Sequence, residues 1–295
     1  MRGANIMRSE REMLDLILSV AEANERIRAV YINGSRANPL AKRDIYQDYD
    51  VVYVVTETQW FIKHMDWQSA FGEALMIQEP DKNVMAFGQD LDASISYGWL
   101  MLFKDHNRID LMIEPKEAAI ANVRQDSLTK ILLDKDNCLP ALAPPSDTDY
   151  HIVRPTEGQF AASCNNFWWC LQNVAKGIAR DQLPYAMMMF HIVVRDELHK
   201  MLDWYIGFET EFSVSTGMWG KYYAMYLPED VYTDYVKTYS DGEYAHLWDA
   251  VFSACRLFSL IARQVASDMA CAYALDDEEG IMYYLNQVQN ESAGK

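Results

Sequence analysis

The chain has 295 residues, 50% of them hydrophobic and 23% charged, which allows one large or two ordinary globular domains and excludes a mainly disordered protein. Its 43 acidic and 26 basic residues give a net charge of −17, which argues against general nucleic-acid binding or an anionic membrane surface and suits a cationic ligand or a metal. Acidic residues lead in both halves, 24 to 16 in residues 1–150 and 19 to 10 in the rest, so the acidity is not a tail.

Ser9 followed by Glu12 is a capping-box pattern, and Met13, Leu14, Ile17, Leu18 and Ala21 recur with helical spacing, so Met7 to Ala23 reads as an amphipathic helix rather than a signal peptide. Ile27 to Ile32 alternates as a strand and ends at Asn33–Gly34, a turn signal. Asp48 to Val55 is the strongest strand pattern. A helix is expected from Trp60 to Leu75, then strands over Ile95–Phe103 and Arg108–Ile113 joined by a Lys104–Asn107 hairpin turn. Pro140, Pro144, Pro145 and Pro155 mark a linker. From Glu157 onward the pattern is helical, with breaks near Pro184, Gly217, Pro228 and Gly242. The domains expected are 1–145 and 146–295. The five cysteines have no C-x-x-C spacing, and no stretch reaches the ~18 apolar residues of a membrane span, which fits reduced thiols in a cytoplasmic protein.

The chemistry gathers at Gly34–Ser35–Arg36, Asp48–Tyr49–Asp50 and Asp110. Residues at i and i+2 of a strand share a face, so Asp48 and Asp50 would project together. Adjacent carboxylates repel, and a hard divalent cation such as magnesium relieves that repulsion. Asp110 lies in an apolar strand, Ile109 and Leu111 taking the core side, and would be the third carboxylate if its strand neighbours that of Asp50. Gly34 allows close approach to a ligand, and Ser35 offers a hydroxyl and an N–H to a phosphate. These are the parts of a nucleotidyl-transfer site. The bland alternative is that the aspartates flank strands at a sheet edge.

Gly34–Ser35–Arg36–Ala37–Asn38, Gln47–Asp48–Tyr49–Asp50 and Arg108–Ile109–Asp110–Leu111 resemble the aminoglycoside 6-adenylyltransferases, also called streptomycin adenylyltransferases. The likeness runs in order from about Met7 to Tyr284, through Asp147–His151, Phe167–Trp168, Glu197–Leu198, Trp204 and Lys221–Tyr222. It implies an α+β protein, with an N-terminal nucleotidyltransferase domain (a mixed sheet with flanking helices) and a C-terminal helical bundle, ATP and the antibiotic binding between them. It implies that Ser35, Arg36 and Lys221 attend the ATP phosphates with Gly34, and that Asp48 and Asp50 hold magnesium. Asp110 would be a metal ligand or the base for the acceptor hydroxyl. Trp168 would wall the acceptor pocket, with Trp204 nearby and Glu197 supplying negative charge. The implied activity is transfer of AMP from Mg-ATP to streptomycin at its 6-hydroxyl, an antibiotic-resistance function. Asn166, Asn173 and Met218 stand where the family usually has an acid, a tyrosine and a lysine. Two alternatives keep their place: another hydroxyl acceptor, small molecule or protein, and an idle nucleotide-binding module. A zinc site on His191 and His199 is disfavoured by Arg195 between them, and Asp276–Glu279 reads as a solvated acidic run.

Overall fold

The computed structural model describes residues 7–293; residues 1–6 and 294–295, the outer ends of the two expected domains, lie outside the described residues. The chain forms two compact units, Met1–Asp149 and Tyr150–Lys295.

In the first unit, helix α1 (Glu10–Ala23) opens with the expected capping box: Glu12 N donates to Ser9 Oγ, and Ser9 N donates to the Glu12 carboxylate. Strand β1 (Ile27–Ile32) leads to a one-turn helix α2 (Gly34–Ala37), and β2 (Tyr49–Val55) follows. The helix expected from Trp60 to Leu75 is broken into α3 (Thr58–Lys63) and a 3₁₀ segment (Met65–Phe71). Gly72, at φ 113°, ends it, and Leu75 lies instead in strand β3 (Ala74–Gln78). Helix α4 (Pro80–Ala86), the β4 (Tyr97–Phe103) and β5 (Arg108–Pro115) hairpin, α5 (Lys116–Asn122) and β6 (Lys130–Asp134) complete the unit.

The six strands form one mixed sheet in the order β3-β4-β5-β2-β1-β6. β2 and β5 pair in parallel and the other neighbours are antiparallel. Alternation sends Tyr49, Val51, Tyr53, Ile109, Leu111, Ile113, Trp99 and Met101 into the main core, against Met13, Ile17 and Ala21 of α1 and against Phe61 and Phe71. The opposite face is covered only in part. Ala29, Tyr31, Val52 and Val54 pack against Ala119 and Val123 at α5, whereas Met76, Leu102 and Met112 remain exposed. Asp50 and Asp110 stand on this second face.

The second unit is helical: α6 (Glu157–Ala179), α7 (Leu183–Met188), a π-helical turn (Met189–Val194), α8 (Arg195–Glu209), α9 (Tyr223–Tyr226), α10 (Glu229–Val236), α11 (Tyr244–Met269) and α12 (Leu275–Ala293). Its core joins Phe160, Phe167 and Trp168 of α6 with Leu198 and Met201 of α8 and with Val251 and Phe258 of α11. Phe167 and Phe258 stack with centroids 3.7 Å apart. By length and composition α11 could cross a membrane, but 61% of its apolar window is buried within the protein, as in a core helix. Asp276–Glu279 is not simply a solvated run: Glu278 accepts from Ser259 Oγ and Arg263 Nη2, tying α12 to α11. All five cysteines are free.

Candidate active site

The parallel register of β2 and β5 sets Asp50 directly level with Asp110, and Tyr49 and Val51 level with Ile109 and Leu111. The flanking residues are buried in the main core, so both aspartates are forced to the other face. Asp48 precedes β2 by one residue and shares their face. Three carboxylates thus converge from two neighbouring strands.

Gly34 makes this approach possible. Its φ is +66°, and a Cβ there would lie 2.5 Å from Asp50 Oδ2. Asn33 N donates to the Asp50 carbonyl at 3.0 Å, fastening the Gly34–Ser35 turn to β2. Ser35 is half-buried in the first turn of α2. Asn33 Oδ1 and Gln47 Oε1, beside the turn and beside Asp48 in the chain, are buried without hydrogen-bond partners.

Arg36 is buried and committed elsewhere. Its Nε donates to the Asp48 carbonyl at 3.0 Å, its Nη2 to the Gln47 carbonyl at 2.7 Å, and its guanidinium lies 3.7 Å from the Tyr49 ring centroid. The structure therefore gives Arg36, expected at the phosphates, the task of holding the segment that presents Asp48.

Burial, then the charges of Asp110 and Asp48, push the Asp50 carboxyl up to about 6. Asp48 is raised as well, chiefly by burial. Such a cluster favours a cation, and hard carboxylate oxygens suit magnesium. Arg108, two residues before Asp110 on the same face, answers part of that charge. Its Nε and Nη2 donate to the two Asp110 oxygens at 2.7 Å each, and its Nη1 lies 3.3 Å from Asp48 Oδ2. Among the described residues no three His, Cys, Asp or Glu side chains already form a metal-holding group; the donor types fit the ion, and a guanidinium stands among them. Arg108 appears in the sequence only as the residue opening the third motif. Its i, i+2 spacing from Asp110 was the available signal.

In the helical unit, Lys221 follows a loop in which Gly217, Trp219 and Gly220 all have positive φ (70°, 54° and 71°). A Cβ at Gly217 would meet the Lys221 side chain at 2.8 Å, so this glycine leaves room for the lysine stem. Asp203 of α8 anchors the loop, accepting from Thr216 Oγ1 at 2.8 Å and Tyr223 OH at 2.9 Å. Lys221 itself is exposed.

Glu197 of α8 is 6% exposed and accepts from Ser163 Oγ, Asn166 Nδ2 and Lys200 Nζ, at 2.7, 2.6 and 3.1 Å. Trp204 is half-buried against the helical core. Trp168, expected as a pocket wall, is a core residue instead: it is 1% exposed, crosses Phe167 and Phe258 edge-on, and donates its Nε1–H to Tyr273 OH at 3.1 Å. Once packed on three sides, its ring has no face left for a ligand. His199 contacts Tyr235 OH at 3.1 Å, and burial, then the neighbouring Arg195, lowers it to about 4.

Residues 7–288 match the family model described as streptomycin adenylyltransferase. The chain is 35% identical over 281 residues to an aminoglycoside 6-adenylyltransferase of Campylobacter jejuni, covering 95% of this chain and 96% of that one. It is 36% identical over 279 residues to the protein of the same name from Bacillus subtilis (strain 168), covering 94% and 97%. A crystal structure of an aminoglycoside 6-adenyltransferase from Bacillus subtilis aligns over 96% of this chain and 99% of that one, with 31% identity and a TM-score of 0.47.

Proposed function

The chain belongs to the streptomycin adenylyltransferase family of nucleotidyltransferases, and from that premise we propose that it transfers AMP from ATP to a hydroxyl of an aminoglycoside, releasing pyrophosphate and inactivating the antibiotic. The observation that carries the proposal is the level pairing of Asp50 with Asp110 beside the Gly34 turn. Relatives named for aminoglycosides supply the acceptor class.

In this reaction the acceptor oxygen attacks the α-phosphorus of ATP. The new O–P bond forms as the bond to the α,β-bridging oxygen breaks, and that oxygen keeps the electron pair in the departing pyrophosphate. The hydroxyl proton leaves to a base, and Asp110 faces the reacting side of the sheet either for that duty or to complete a metal site. Asp48 and Asp50 would hold magnesium, joined by Asp110 where it is not the base. When bound, magnesium would supply charge neutralisation for the leaving phosphates and acidify the acceptor hydroxyl. Ser35, in the Gly34 turn, and Lys221, on its glycine-shaped loop, donate to phosphate oxygens. Arg36 acts indirectly, by fixing the backbone on which Asp48 is carried.

For the acceptor, the half-buried Trp204 of α8 is the contact we favour, whereas Glu197 on the same helix is buried against Ser163, Asn166 and Lys200 and fastens α8 to α6. An aminoglycoside is a polycation, and a protein of net charge −17 attracts it at long range. Streptomycin is the acceptor we favour. Pyrophosphate release from Mg-ATP, run with streptomycin and a panel of other aminoglycosides beside an Asp50→Asn control, tests the proposal. Release requiring both streptomycin and Asp50 is the expected result; none with any aminoglycoside, from protein that still binds ATP, would overturn it.

A further inference from the structure

Arg108 is unlike the other arginines that carry weight in this molecule. Arg36 and Arg195 are buried and fasten backbone, Arg36 to the carbonyls of Gln47 and Asp48, Arg195 to that of Thr238. The Arg108 side chain is 41% exposed, and it pairs with carboxylates: both oxygens of Asp110 and Oδ2 of Asp48. Its neighbour across the sheet, Leu102, is itself exposed.

We propose that Arg108 is a resident counter-cation of the catalytic carboxylates, which must release Asp48 and Asp110 before a divalent cation is held there. The proposal rests on the adenylyltransferase reading above. Three aspartates carry three negative charges, and Arg108 answers one of them. A divalent ion arriving with the guanidinium in place would meet a like charge within a few ångströms, while both oxygens of Asp110 and one of Asp48 are already engaged as acceptors. Release is feasible because the side chain is long and 41% exposed. It also needs a new partner, and a triphosphate supplies one: planar guanidinium groups pair with phosphate as readily as with carboxylate. Metal and nucleotide then assist one another. Metal alone competes with Arg108, whereas metal arriving with ATP brings phosphate oxygens to receive it, so each ligand raises the affinity of the other.

The test is a titration of the full chain with Mn²⁺, with free ion read by electron paramagnetic resonance, with and without a non-hydrolysable ATP analogue. Wild type is compared with Arg108→Gln, Arg108→Lys and Asp50→Asn, all checked for native circular dichroism. Without nucleotide, Arg108→Gln should bind Mn²⁺ at least about tenfold more tightly than wild type. Arg108→Lys, which keeps the charge without the fork, should fall between them and serves if the Gln variant fails to fold. The gain in Mn²⁺ affinity on adding nucleotide should shrink in Arg108→Gln. Unchanged or weaker binding in Arg108→Gln, with Asp50→Asn still weakening it, overturns the proposal alone. Binding indifferent to Asp50→Asn removes the metal from these carboxylates and overturns the underlying reading with it.

Discussion

Asp110 and Glu114 lie four residues apart on the same face of β5, and each is level with a residue of β2, Asp50 in the first case and Val54 in the second. Around Glu114 everything is settled. It is 1% exposed beneath α5, one oxygen takes the Tyr31 hydroxyl, and the other takes Asn122 Nδ2 at 2.8 Å. Around Asp110 the neighbours are two further carboxylates and a half-exposed arginine. One end of the strand pair gives its acid neutral donors and a helix for a lid; the other sets acid against acid, half-buried. A buried polar group with good partners is structure, and a conflict left standing marks where a ligand is needed.

The contrast breaks most sharply at Asp50. Asp50→Asn should lower turnover by about 10³-fold or more, because it removes a carboxylate that the proposed reaction needs. In metal-free protein near pH 7 the same change should raise stability by about 1–2 kcal/mol, since Asp50 is ionised there despite a carboxyl raised to about 6. Thermal unfolding in chelator beside a turnover assay reads both effects; a destabilised variant would mean the cluster is not in conflict. Gly34→Ala should follow, with turnover down by roughly 10- to 100-fold and stability down by about 1–2 kcal/mol. The added methyl meets Asp50 Oδ2 and the backbone is left-handed.

At the settled end the ranking reverses. Glu114→Ala leaves the Tyr31 hydroxyl and Asn122 amide without their acceptor and opens a cavity, so denaturant unfolding should show a loss of about 2–4 kcal/mol. Turnover per folded molecule should stay within about threefold, and a collapse like that of Asp50→Asn would erase the distinction. A pH dependence comes last, of the same size as the Asp50→Asn gain. Asp50 has its folded value raised, so between about pH 4 and 6 the folded chain holds this proton more firmly than the unfolded chain does. Metal-free stability from this group therefore grows as pH falls through 6 towards 4, and the advantage of Asp50→Asn fades over the same window.

Strands β1, β2, β4 and β5 were legible in the sequence because each alternates or carries a β-branched run between turn residues. β3 was not. Its Ala74, Leu75 and Met76 are good helix formers, and its other residues are largely exposed at an edge where one-sided burial writes no pattern. β6 is short and only half-buried, with two adjacent leucines that show no period. Of the site, Asp48, Asp50 and Asp110 stand out as acids in apolar strands, but that Asp50 and Asp110 lie level depends on the parallel β2–β5 register, which no local window contains. Arg108 and Glu114 were overlooked for a related reason: whether a charged residue beside a motif is a partner or a bystander is decided across strands. Trp168 shows the opposite hazard, since an aromatic at helical spacing in an apolar helix belongs to the core even within a motif tied to function.

The parallel pairing of β2 with β5 also bears on how the molecule is made. About sixty residues of chain separate Asp50 from Asp110, and a ribosome delivers them in that order. Until β5 emerges, β2 can pair with β1 on one side and presents Val51, Val52, Tyr53, Val54 and Val55 along a bare edge on the other. Such an edge invites pairing with a neighbouring nascent chain. Asp48 and Asp50 stand at its start, and two charges at the mouth of an apolar strand are what keeps strangers from joining it. On the way to the folded state these two aspartates would serve as gatekeepers, guarding the place of a strand not yet synthesised.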